Sequence, residues 1–136
     1  MSVEGPPQDA KAPLGVILFA HGSRDPLWRR PMEAVAARVA RRAPDTPVRC
    51  AYLELTEPDL PSTAAELAAL GLASVRIVPM FLGAGRHVRE DLPALVDALR
   101  QQHPQVAWDL CPPVGENDRL LDLLADLASP PSPAPR

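Results

Sequence analysis

The sequence predicts an α/β domain in which a four-stranded parallel sheet is flanked by helices. Three observations predict it. Short apolar runs alternate with segments of helical spacing, four times in succession. The first and third runs lack polar alternation, as strands covered on both faces should. The chain has 136 residues, one domain's worth.

The elements follow in order. Gly15–Ala20 (GVILFA) is the first strand, followed by the loop HGSRDP. Apolar residues at helical spacing then predict a helix over Trp28–Arg42, ended by Pro44 and Pro47. Val48–Leu55 (VRCAYLEL) is the second strand, and Arg49 and Glu54 make it more peripheral. After TEPDLP comes a helix over Ser62–Leu70, with Thr63 and Glu66 as a capping box and Gly71 as its stop. Ser74–Phe81 (SVRIVPMF) is the third strand. LGAGRHVRE leads into a helix from about Asp91 to Gln102, with Pro93 tolerated in its first turn. Val106–Leu110 is the fourth strand, CPPVGEN a loop, and Asp118–Leu127 the last helix.

The ends differ from this core. Of 18 prolines, four lie in the tail SPPSPAPR and three in the head. The expected organisation is therefore a disordered extension over residues 1–13, one α/β domain over 14–128 and a disordered Pro-rich tail over 129–136.

Composition narrows the function. A net charge of −3 argues against a broad nucleic-acid surface. Two cysteines, Cys50 and Cys111, cannot make a disulfide framework or a four-thiolate zinc site. The apolar runs are strand-length, too short to span a bilayer, and no signal peptide is visible. The expectation is a cytoplasmic protein with no nucleic-acid or membrane partner.

In open α/β sheets, ligands bind beyond the carboxyl ends of the strands. His21 directly follows the first strand, Glu54 closes the second and His87 lies past the third. They are separated by 33 residues in each case, one strand-helix unit. A parallel sheet would gather them at one edge, where two imidazoles and a carboxylate suit a divalent first-row metal. Read singly, each is also an ordinary loop or edge-strand residue. His103 at a helix end has only the plain reading of a group favourable to the helix dipole.

Gly22 allows a sharp turn beside His21; Gly83 and Gly85 do the same before His87 and admit a flat ligand. Neither a phosphate loop nor a dinucleotide fingerprint is present. Arg24, Arg86 and Arg89 cluster near these loops, and guanidinium forks suit carboxylate or phosphate ligands. Cys111 ends the fourth strand, within reach of the same edge.

HGSRDP after an apolar strand, LELTEPDLP after the next and VPMFLGAGRHVREDLP after the third resemble the sirohydrochlorin chelatase family. The chain is similar to its short, single-domain members of the CbiX and SirB type. The resemblance covers Leu14 to about Leu127. It implies a chelatase-like three-layer fold. It implies insertion of Co²⁺ or Fe²⁺ into sirohydrochlorin or a close relative, in cobalamin or siroheme biosynthesis, with His21, His87 and Glu54 handling metal and protons. Glu57, which lies in the loop rather than at the strand end, is the competing carboxylate. The metal is then substrate rather than a bound cofactor, and the same donors accept Ni²⁺. Arg24, Arg86 and Arg89 would orient the acidic tetrapyrrole, beside Gly83, Gly85 and an apolar lip of Met80, Phe81, Leu82 and Val88. Because longer relatives carry the domain twice, a homodimer is implied. CPPVGEND lacks a histidine and is less typical of the family.

Two rival readings stand beside this one. The same residues could serve a carrier that binds metal or tetrapyrrole without turnover. A histidine phosphatase would place an arginine immediately before the His-Gly pair, whereas Ala20 stands there.

Overall fold

The computed structural model describes residues 13–131, so most of the head and tail expected to be disordered lies outside the described residues. The strands are β1 (Leu14–Ala20), β2 (Val48–Tyr52), β3 (Ser74–Pro79) and β4 (Ala107–Leu110). The helices are α1 (Arg30–Arg42), α2 (Leu60–Ala69), α3 (Arg86–Gln102) and α4 (Asp118–Ala128). All three strand pairings are parallel, in the order β2-β1-β3-β4. The chain leaves β1 toward one edge and crosses back to reach β3. The carboxyl ends of β1 and β3 therefore flank the point where the strand order reverses, which is where such sheets bind ligands.

The sheet buries its two faces unequally. On one face Ile17, Phe19, Ala51, Val75, Ile77 and Trp108 pack against Leu60, Ala64 and Leu67 of α2 and Leu92, Val96 and Leu99 of α3. On the other, Val16, Leu18, Ala20 and Tyr52 pack against Met32 of α1. Strict period-two alternation sends neighbouring residues of β1 to opposite faces. Both sets are buried, which accounts for the continuous apolar run. The peripheral reading of β2 holds, since it forms one edge.

Four expected boundaries are corrected. The first helix begins as a 3₁₀ turn over Pro26–Arg29, capped by the Asp25 carboxylate, which accepts from the Leu27 N–H at 2.9 Å. The helix expected to start near Ser62 starts at Leu60. Asp59 caps it by accepting from the Ser62 N–H at 2.9 Å, and Pro61 sits in the first turn, where its missing N–H costs nothing. Thr63 is instead buried, and Glu66 pairs with Arg49 at 2.8 Å. The helix expected from Asp91 starts five residues earlier, at Arg86. Its apolar stripe begins at half-buried Val88 and continues through Leu92, Leu95 and Leu99. Pro93 consequently lies inside α3, not in its first turn, and the Arg89 carbonyl receives no helical N–H.

The fourth correction concerns β2, which ends at Tyr52, so Glu54 lies two residues beyond the strand. The chain folds back there: the Tyr52 N–H donates to the Pro58 carbonyl at 2.9 Å.

The Asp59 cap gives a stability prediction. Hydrogen bonds from Ser62 hold the Asp59 carboxyl below its ordinary value. A depressed carboxylate stabilises the fold above its unfolded pKa and stops doing so as pH falls through the folded value. Asp59→Ala is expected to cost about 1 kcal/mol near neutrality. Urea unfolding should show that difference shrink below about pH 4. A cost that stays the same at low pH would rule out the charged cap.

Candidate functional site

The loops after β1 and β2 are clamped together by their backbones. Leu53 N–H donates to the Ala20 carbonyl at 2.9 Å, and Glu54 N–H to the His21 carbonyl at 3.1 Å. Ser23 N–H donates to the Thr56 hydroxyl at 2.9 Å, and that hydroxyl donates back to the Ser23 carbonyl. Gly22 makes the contact possible. Its φ is +105°, and a Cβ there would lie 1.8 Å from the Glu54 carbonyl oxygen. Leu55 has φ +65°, closing a tight turn in which the Thr56 N–H donates to the Glu54 carbonyl at 2.8 Å. A non-glycine residue held in this region is strained, and here the strain lies next to Glu54.

This clamp places two polar side chains face to face. His21 Nε2 stands 3.7 Å from Glu54 Oε2, with each side chain about half exposed. The His21 ring meets the edge of Phe81 at a centroid distance of 6.4 Å, and Phe81 in turn packs edge-on against Phe19 at 6.0 Å. The imidazole is thus backed by the core while its polar edge stays open to solvent.

His87 arrives from the other side, in the first turn of α3. Phe19, His21, Leu53, Glu54, His87, Asp91 and Leu95 line one pocket of about 350 Å³. The three residues singled out from the sequence are therefore gathered at the carboxyl edge. Asp91, absent from that set, lines the pocket too. Its position four residues after His87 on a helix was the available signal, hidden because the helix was expected to begin only at Asp91. Among the described residues no three His, Cys, Asp or Glu side chains form a ready-made cage for an ion.

The other singled-out residues lie around this pocket rather than in it. Arg24 is exposed in the β1 loop. Arg86 is exposed and pairs with Glu90 at 3.2 Å. Arg89 and Phe81 line a neighbouring pocket of about 310 Å³ with Leu92, Leu110 and Cys111. Phe81 is 8% exposed, so it belongs to the core, whereas Leu82, at 66%, is the open member of the expected lip. Gly83 and Gly85 do not need glycine for a turn: neither has positive φ, and a Cβ on either would meet nothing within 4 Å. Cys111 opens into the neighbouring pockets, not toward the histidines. His103 caps the far end of α3, where its ring lies tilted against Trp108 at a centroid distance of 5.9 Å.

Fold and site together define a class: a parallel α/β domain that collects imidazole and carboxylate donors beyond the ends of its central strands. The chain belongs to the CbiX family, whose model matches residues 15–129. It is 33% identical over 86 residues to the sirohydrochlorin cobaltochelatase of Methanothermobacter thermautotrophicus, covering 63% of this chain and 59% of that protein. The sirohydrochlorin cobaltochelatase of Sulfolobus acidocaldarius is 26% identical over 115 residues, covering 85% of this chain and 89% of the relative. Against the cobaltochelatase of Methanococcoides burtonii the match spans 63% of the relative's length. The chain thus spans about three-fifths of two of these curated relatives and most of the third.

Among solved structures, a CbiX protein from Marinobacter aquaeolei described under cobalamin (vitamin B12) biosynthesis superposes with a TM-score of 0.75 at 35% identity, over 85% of this chain and 94% of that one. The sirohydrochlorin chelatase SirB of Bacillus subtilis, solved with cobalt, gives a TM-score of 0.72 at 18% identity. That match covers 84% of this chain but 49% of SirB and speaks for the fold alone.

Proposed function

We propose that this protein inserts a divalent metal, Co²⁺ or Fe²⁺, into sirohydrochlorin or a closely related tetrapyrrole. The observation that carries the reading is the pocket where His21, Glu54 and His87 meet at the strand-order switch. Membership of the CbiX family and the cobaltochelatase relatives support it. No helix of the described residues is long and apolar enough to cross a membrane, in keeping with a cytoplasmic enzyme. Residues 14–128 make up the chelatase-like unit.

Insertion exchanges one M²⁺ for two pyrrole N–H protons. A cyclic tetrapyrrole is too large to enter a 350 Å³ pocket, so it lies across the mouth with its nitrogens above the imidazoles. His21, Glu54 and His87 hold the ion below the ring. As metal–nitrogen bonds replace metal–imidazole bonds, each freed imidazole can accept a proton. Glu54, half exposed beside His21, offsets the charge and passes the proton to water. The metal is substrate, so it must be held without being enclosed. Arg24, Arg86 and Arg89 meet the acidic side chains of the macrocycle. The open backbone at Gly83 and Gly85 and the exposed Leu82 receive its edge. Phe81 acts from behind, by fixing the His21 ring. The same donor set admits Ni²⁺.

The test is anaerobic insertion. Sirohydrochlorin is mixed with Co²⁺ or Fe²⁺ and catalytic amounts of protein, and the absorption spectrum is followed. Many turnovers above the protein-free rate are expected. A rate equal to the blank for both metals would overturn the proposal.

A homodimer completes the reading. Helix α4 has no buried residue, and Leu121, Leu123 and Leu127 are 44%, 53% and 75% exposed. Beneath β3 and β4, exposed Arg76 and Asp109 mark a part of the sheet that α1 does not cover. A second copy would cover the exposed leucines of α4, and SirB, of which this chain matches about half, is long enough to hold two such units. Sedimentation should show a dimer that Leu123→Glu converts to monomer. A wild-type monomer at every concentration would exclude it.

A further inference from the structure

The pocket holds one polar side chain that the proposed mechanism leaves idle. Asp91 lines it together with His21, Glu54 and His87. It follows His87 by four residues on α3, so the two project from one helix face, with Cβ atoms about 5–6 Å apart. The next residue back, Glu90, is turned elsewhere: it pairs with Arg86 at 3.2 Å and does not line the pocket. Asp91 forms no ion pair among the described residues, although Arg89 lies two positions away.

The donors fall into two sets on opposite walls. His21 and Glu54, 3.7 Å apart, come from the clamped loops. His87 and Asp91 come from α3. We propose that Asp91 is a fourth metal donor, pairing with His87 to receive the divalent cation opposite His21 and Glu54. The inference deepens the metal-handling reading above and rests on it.

The chemistry favours this arrangement. Two carboxylates and two neutral imidazoles match the charge of a divalent ion, and oxygen and imidazole nitrogen together suit Co²⁺ and Fe²⁺. Each wall offers one nitrogen and one oxygen, although no three of these groups stand together in this structure closely enough to hold an ion by themselves. An ion received between the two pairs still keeps open coordination positions for a macrocycle. A carboxylate on α3 also explains how cargo is drawn to the His87 wall, which without Asp91 would offer a lone imidazole.

The test titrates the intact protein with Co²⁺ alone, reading affinity by calorimetry and the visible absorption of the bound ion. Asp91→Asn, nearly isosteric and at an exposed position, is compared with wild type and Glu90→Gln. Asp91→Ala serves as a second variant if the first is misfolded by circular dichroism. The expected result is a loss of about tenfold or more in Co²⁺ affinity for the Asp91 variants, with a changed absorption band, and wild-type behaviour for Glu90→Gln. Three results would overturn the inference: no Co²⁺ binding by wild type, unchanged binding by the Asp91 variants, or an equal loss with Glu90→Gln, which would be a bulk charge effect. The insertion assay separates the two proposals. Asp91-dependent Co²⁺ binding without insertion would sink the chelatase reading and leave this one standing; insertion with Asp91-independent binding would do the reverse.

Discussion

His21→Ala is expected to lower metal insertion to the protein-free rate, a loss of about 10²–10⁴-fold or more, while leaving the fold intact. The asymmetry follows from where the residue sits. Its side chain is about half exposed and touches the core through the edge of Phe81, so truncation opens no sealed cavity. The neighbouring Glu54 keeps access to water at 55% exposure, so it is not left as a buried unpaired charge. Urea unfolding should therefore move by no more than a few tenths of a kcal/mol, as at other exposed positions. What disappears is the imidazole that holds the ion and takes a proton, and no residue on the same wall replaces it. His87→Ala should show the same pattern from the opposite wall. Insertion by His21→Ala at the wild-type rate would remove this residue from the mechanism.

Gly22→Ala is expected to act in the opposite way, by damaging the frame that carries the chemistry. The added Cβ would stand 1.8 Å from the Glu54 carbonyl oxygen and 2.9 Å from its carbon, both backbone atoms that no rotamer change can move. The residue would also have to keep a φ of +105°. Strain of this kind costs about 1–3 kcal/mol, and the loops must additionally part, losing the Glu54–His21 backbone bond and the Ser23–Thr56 contacts. A total near 2–4 kcal/mol is expected in urea unfolding. Because the clamp sets the His21–Glu54 separation, insertion should fall even at temperatures where the variant remains folded. An unfolding midpoint equal to that of wild type would mean that the loops are not held as described.

Much of the architecture was legible in the order of residue types. Apolar runs of strand length separated by helical periods imply four parallel strands, because a parallel crossover needs a helix. The doubly buried character of β1 could be read in an apolar run unbroken by polar residues, and the edge position of β2 in Arg49, whereas Glu54 falls beyond that strand. The even spacing of His21, Glu54 and His87 foretold their meeting, since each strand-helix unit returns the chain to the same edge.

Tertiary packing decided the rest. Helix α3 begins at Arg86 because Val88 finds the sheet to bury against, and that shift puts Asp91 on the pocket wall beside His87. Glu54 leaves its strand because Tyr52 pairs with the returning chain at Pro58 and Asp59, a contact between segments that local propensity does not encode. Phe81 and Leu82 are adjacent, both apolar and both beyond the end of β3, yet one is buried behind His21 and the other open, a choice made by the packing of Phe81 against the neighbouring Phe19. The sequence by itself determined which residue types reach the carboxyl edge, because strand order and period are properties of the chain. Which of them face one another was decided only by the tertiary structure, because that depends on which surfaces are available to bury them.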